Sequence, residues 1–229
     1  IGIAAGLGWS FILISTADYL KSQFLISSTD IFLAFAILLT ALAFLEAGPD
    51  ARAGEDTLFS VLCAACLLIK NDAVIFIALI TLAMGLRLRR FPAKHVLILA
   101  ALTGPWMIYR MTLPDPDAGA EFMLKHLGNY LLPETLPALG RAVLSVLMHN
   151  LNWIFLIALC TWPLLWRDRD MRLLITCISA TLAGYVLLVW GAIPISVNDE
   201  AVGLMRLFSQ FYPLALLITA LALHKLSDK

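Results

Sequence analysis

Three polar residues, Lys70-Asn71-Asp72, interrupt an otherwise apolar stretch that runs from Leu58 to Leu86, and nothing else in the chain restricts its fold as tightly. A lysine and an aspartate at the centre of a lipid-exposed helix cost roughly 2.5–3.5 kcal/mol each, against a gain of only about 0.3–0.6 kcal/mol per Leu, Ile, Phe or Val. One continuous helix over the stretch would also be about 45 Å long, against a hydrocarbon core of about 30 Å. The triplet therefore reads as a turn between two short helices, Leu58–Ile69 and Ala73–Leu86. Short, broken helices are tolerated where they line a polar cavity inside a bundle. Ionisable residues within membrane segments are functional candidates by default. The competing reading of Lys70 is a lysine that snorkels to the headgroups.

Composition extends this reading to the whole chain. Of 229 residues, 61% are hydrophobic and 14% charged, with a mean hydropathy of +0.90. A soluble domain is nearer 45–50% apolar and about 25% charged. The expected fold class is an all-α polytopic transmembrane bundle, residues 1–229 forming a single domain, because in lipid every backbone polar group must be paired internally. The formal net charge is zero, and nothing points to a nucleic-acid partner. The chain opens at Ile1 inside an apolar run, so it is expected to be a fragment, with Ile1–Ser15 a truncated membrane helix. No basic segment or processing site marks that helix as a signal peptide. Cys63 and Cys66 form a C-x-x-C inside an apolar helical run with no histidine nearby, which suits packing better than metal binding. Cys160 and Cys177 also fall in membrane segments, and no His/Asp/Glu cluster indicates a resident metal or cofactor.

The apolar runs are about Ile1–Ser15, Ile31–Leu45, Leu58–Ile69, Ala73–Leu86, Val96–Ile108, Asn150–Trp166, Leu173–Ile195 and Leu207–Leu223. Lys and Arg concentrate on the cytoplasmic side of short loops. Arg87, Arg89, Arg90 and Lys94 form one cluster, Arg167, Arg169 and Arg172 a second, and His224, Lys225 and Lys229 close the chain. These three places are expected to be cytoplasmic, the C-terminus included, and Met111–Arg141 and Ser196–Arg206 external. Extended backwards, the alternation puts the Lys70 turn and Thr16–Asp30 outside and Glu46–Asp56 inside. The external loop spanning residues 111–149 begins with Pro114-Asp115-Pro116-Asp117. It continues into an amphipathic helix over Glu121–Leu132, with Met123, Leu127, Tyr130 and Leu131 on one face, as in helices that lie in the membrane interface.

This topology gathers Asp30, Lys70, Asn71, Asp72, Arg206 and Gln210 at one membrane face. A cationic pair near the end of a membrane cavity suits a phosphate whose lipid tail stays in the bilayer, and a carboxylate beside it can activate an acceptor hydroxyl. The ordinary reading of Asp30 is a helix cap, since Thr29 and Asp30 directly precede the apolar run at Ile31.

Two segments carry a resemblance. Cys66-Leu67-Leu68-Ile69-Lys70-Asn71-Asp72-Ala73-Val74 resembles the junction, found in membrane glycosyltransferases of the GT-C class, of an apolar helix, a cation, a turn residue, an acid and a second apolar helix. Leu204-Met205-Arg206-Leu207-Phe208-Ser209-Gln210-Phe211-Tyr212-Pro213-Leu214 is similar to the opening of the late membrane helix in the same enzymes, which include the dolichyl-phosphate-mannose-dependent mannosyltransferases and aminoarabinose transferases. Ser28-Thr29-Asp30 before an apolar helix is a third match. The resemblance implies a polyprenyl-phosphate-linked sugar donor, a site on the periplasmic face of a bacterial inner membrane, and transfer to a hydroxyl or similar acceptor. It makes Lys70 and Arg206 donor-phosphate ligands and Asp30, Asn71, Asp72 and Gln210 pocket residues. It puts the general base in an amino-terminal external loop absent from this chain. Asp72 stands where the family often has Glu or Gly. The alternative is a secondary transporter or lipid flippase, which broken helices suit equally; no second copy of the Lys70 segment marks the two related halves of such a protein.

Overall fold

The first well-defined helix shows the chain's construction. Leu33, Ala34, Ile37, Ala41 and Phe44 recur at helical spacing and are buried, yet the opposite face carries Phe32, Phe35, Leu39 and Leu42, which are exposed. A helix apolar all round has no solvent-seeking side, unlike the surface helix of a soluble protein. The computed structural model describes residues 28–47, 53–70, 73–89, 92–112, 153–192 and 207–227, with isolated helical positions between 137 and 144. Its longer helices are α1 (Ser28–Glu46), α2 (Ala53–Ile69), α3 (Val74–Leu88), α4 (Ala93–Met111), α5 (Trp153–Leu165), α6 (Arg169–Ala192) and α7 (Tyr212–Ser227). No strand occurs among the described residues.

The break at the polar triplet is real. Helix α2 ends at Ile69 and α3 begins at Val74, with the Lys70 amide still bonded to the Cys66 carbonyl and the Ala73 amide to the Lys70 carbonyl. Packing runs α1 on α2, α2 on α4, α3 on α6, and α7 on both α5 and α1. Aromatic rings join these pairs: Phe211 meets Phe76 edge-on and lies against Tyr185, and Phe155 meets Phe208 and Tyr212 edge-on. Cys63, Cys66 and Cys177 are buried free thiols and Cys160 is an exposed one.

Three boundaries differ from the sequence reading. Helix α1 starts at Ser28, so Asp30 lies inside its first turn instead of capping it from outside. Helix α6 starts four residues before the apolar run, because the Asp168 carboxylate accepts the Asp170 and Met171 amides and caps it. The last apolar run is not one helix: a turn at Gln210 and Phe211 separates Leu207–Ser209 from α7. Among the described residues one stretch, Arg169–Leu187, is long and apolar enough to cross a bilayer by length and composition. Thr57–Ile69, Val74–Leu88, Phe155–Leu165 and Tyr212–Lys225 are shorter apolar helices. Of the eight apolar runs, those within the described residues thus form an all-α assembly in which one stretch is both long and apolar enough to cross a bilayer. Residues 1–27 and the amphipathic helix of the long loop lie outside the described residues.

Side-chain contacts give the bundle two polar ends. At one, Arg87 donates to the Phe44 and Leu45 carbonyls at the end of α1 and to Asp170 at the start of α6 (2.6 Å); Arg169 donates to the Leu86 carbonyl. At the other, the start of α1 meets the ends of α2 and the turn before α7. The fourteen residues of α1 between Asp30 and Phe44 separate these ends by about 21 Å.

Candidate functional site

Two helix interruptions make the site. Lys70 sits where α2 stops, and Gln210 where the chain turns before α7. In each case the break aims a polar side chain at the first turn of α1, where Asp30 waits. The Lys70 ammonium donates to Asp30 Oδ1 at 2.7 Å, and Gln210 Nε2 donates to the same oxygen at 3.2 Å. Asp30 and Gln210 are fully enclosed, whereas the Lys70 side chain keeps 23% of its surface exposed. The cluster therefore has a direction: a buried carboxylate and amide behind, an ammonium at the opening. Asp30 also lies at the positive end of the α1 dipole, which favours its negative charge.

Each part has a chemical reason. A carboxylate out of water is costly unless paired and hydrogen-bonded, and here a cation and an amide share one oxygen. An ammonium has three donors, of which Asp30 Oδ1 takes one. The Gln210 amide presents Nε2 to the carboxylate, since Oε1 there would oppose two acceptors. Its Oε1 is enclosed without a hydrogen-bond donor among the described residues.

Of the residues singled out from the sequence, Asp30, Lys70 and Gln210 come together from positions up to 180 residues apart. Asn71, Asp72 and Arg206 lie outside the described residues. Among the described residues no group of three or more His, Cys, Asp or Glu side chains could hold a metal ion.

A second buried polar cluster escaped the sequence reading. His95 on α4 is hydrogen-bonded through Nδ1 to the Ser60 hydroxyl of α2 (2.8 Å) and through Nε2 to the Thr81 hydroxyl of α3 (3.0 Å). The Phe59 ring lies 4.9 Å from its imidazole. A hydroxyl can donate or accept, so either tautomer is satisfied, and three helices are tied where apolar packing alone would let them slide. In the sequence, the histidine stands beside Lys94 at a helix start, with no local pattern to mark its partners. Arg87 escaped in the same way: counted as a loop charge, it is a buried clasp whose guanidinium also lies 5.2 Å over the Phe44 ring. Both clusters read as structural, since each ties helix to helix.

The chain matches no protein-family model, no curated protein and no solved structure.

Proposed function

We propose that this chain belongs to an integral-membrane glycosyltransferase that moves a sugar from a polyprenyl-phosphate-linked donor to an acceptor on the periplasmic face of a bacterial inner membrane. The convergence of Asp30, Lys70 and Gln210 carries the reading. A lysine held at a helix break, exposed on one side and anchored by a buried carboxylate on the other, is a preorganised cation at the end of an apolar bundle. The apolar exterior supports the membrane setting of a multi-pass bundle. Phe32, Leu82, Leu97 and Ile108 are each more than 60% exposed, and large apolar side chains exposed on several helices suit contact with lipid or another apolar partner.

In this reading the glycosidic C–O bond breaks, its electron pair stays on the donor phosphate, and the anomeric carbon is taken by the acceptor oxygen. The acceptor proton goes to a general base. Lys70 and Arg206 stabilise the charge growing on the phosphate, and Asp30 and Gln210 hold the Lys70 ammonium in place. Asn71 and Asp72 are the further pocket residues that the resemblance implies. Preorganised charge in a water-poor site is the strongest source of such stabilisation, and loss of one contact costs on the order of 2–4 kcal/mol in the barrier.

The test is sugar transfer from polyprenyl-phosphate donors by the purified full-length protein in liposomes. Lys70→Ala and Arg206→Ala should each lower turnover by about two orders of magnitude or more while membrane insertion is unchanged. Lys70→Arg should retain more activity than Lys70→Ala, since charge is kept while geometry changes. Near-normal transfer by both alanine variants would remove these residues from the donor site. Lipid or solute flux without transfer, lost in the same variants, would instead favour a transporter or flippase.

A further inference from the structure

Along α5, α6 and α7 the helices part to leave an apolar groove of about 290 Å³, which runs from Phe208 beside the Gln210 turn towards Trp162 and Ile175. Its wall on α6 is a single stripe: Ile175, Ser179, Leu182 and Val186 follow at helical spacing, and Phe155 and Trp162 of α5 face them. Ile175 to Val186 spans about 16 Å of helix, close to the roughly 15 Å that is half the hydrocarbon core. One alkyl chain of one leaflet fits such a groove in length and in chemistry.

The groove ends in positive charge. Arg172 is the next position on the α6 stripe, three residues before Ile175, and is exposed. Its guanidinium lies 6.0 Å from the centre of the Trp166 ring, and Trp166 in turn lies 5.1 Å from Trp162 in the groove wall. Arg167 and Arg169 stand in the same turn. Asp170 is paired with Arg87, which leaves Arg167, Arg169 and Arg172 against the single carboxylate of Asp168 that caps α6, so the rim is net cationic. An indole pair at a polar-apolar boundary is also the usual marker of the headgroup level.

We propose that this groove binds one chain of an anionic diacyl phospholipid, with its phosphate at Arg172 and Arg167 and its acyl chain along Ile175–Val186. This rests on the membrane reading above but not on the glycosyl-transfer chemistry, and its headgroup end, at Arg172, lies at the opposite end of the bundle from Lys70. The shape selects an alkyl chain; the charge at its mouth selects an anionic headgroup over a zwitterionic one.

Native mass spectrometry of the delipidated, detergent-solubilised protein, titrated with phosphatidylglycerol or phosphatidylcholine, tests it. The wild type should bind one phosphatidylglycerol more tightly than phosphatidylcholine. Arg172→Ala and Arg167→Ala should each weaken phosphatidylglycerol by about fivefold, the value of one basic residue near an anionic lipid, and leave phosphatidylcholine unchanged. Ala183→Phe should weaken both by filling the groove. In the event that this variant folds poorly, phosphatidylglycerol brominated on its acyl chain should quench wild-type tryptophan fluorescence, with a smaller loss in Trp162→Phe. Lys70→Ala should bind as the wild type does. Equal binding of the two lipids, or quenching indifferent to Trp162, would overturn the site while leaving the membrane reading intact. A protein that stays monodisperse without detergent and binds neither lipid would sink the membrane reading itself.

Discussion

Asp30 shares one carboxylate oxygen between Lys70 and Gln210, so its neighbours differ in what they contribute. Lys70→Met removes the ammonium and leaves the charge beside an amide. With Lys70 partly exposed, the cost should fall below the about 3–5 kcal/mol of a fully buried pair, at roughly 1–3 kcal/mol. Asp30→Asn should cost less, because the amide oxygen still accepts from the lysine. The double variant should be milder than the sum of the two, as contacting residues are not additive. Denaturant or thermal unfolding in detergent measures the cycle, and strict additivity would show that the two side chains do not interact. Only half of this cluster was legible in the sequence. Lys70 announced itself by its cost in lipid. Gln210 entered only as one of several polar residues that the topology gathered at one face, and the wish of Asp30 to cap a helix hid its ion pair, since local capping and distant pairing use the same residue type.

At the level of elements, the tie between α1, α3 and α6 depends on Arg87. Its guanidinium serves two carbonyls left open at the end of α1, the groups that a helix end must satisfy elsewhere, and one carboxylate on α6. Arg87→Ala should destabilise the protein by about 2–3 kcal/mol, with Asp170 partly in solvent keeping it below a fully buried pair. Arg87→Lys should recover only part, because a single ammonium cannot copy the planar fork. Equal thermal stability of Arg87→Ala and wild type would refute the clasp. Two residues on, Arg89 closes α3 in the left-handed conformation, at φ 52°. Arg89→Gly relieves strain of roughly 1 kcal/mol and should raise the melting temperature slightly, a gain partly offset by the freedom glycine adds to the unfolded chain. Asp168→Ala, which removes the cap of α6, should cost about 1 kcal/mol.

At the scale of the whole molecule, the alternation of base-rich and base-poor loops in the sequence predicts a labelling pattern. In a background lacking the four native cysteines, Arg89→Cys and Arg167→Cys should react with an impermeant thiol reagent only after the cytoplasmic side is opened, whereas Asp115→Cys should react in intact cells. Labelling of residue 89 from outside, with residue 115 protected, would invert the topology. The sequence by itself determined the class of fold and the position of its break. Hydropathy, base-poor and base-rich loops and the cost of Lys70 are local sums, read residue by residue without knowing what packs where. It could not determine helix ends governed by a single cap, as at Asp168. Nor could it determine partners. Which oxygen Lys70 meets, that Arg87 is a clasp and not merely a loop charge, that His95 spans two hydroxyls, and that an apolar groove opens beside a cationic rim all depend on how α1 through α7 lie against one another. In an exterior apolar all round, hydrophobic pattern no longer distinguishes the inward face from the outward one; only tertiary packing, by burying some of those faces and enclosing the few polar groups together, made that choice.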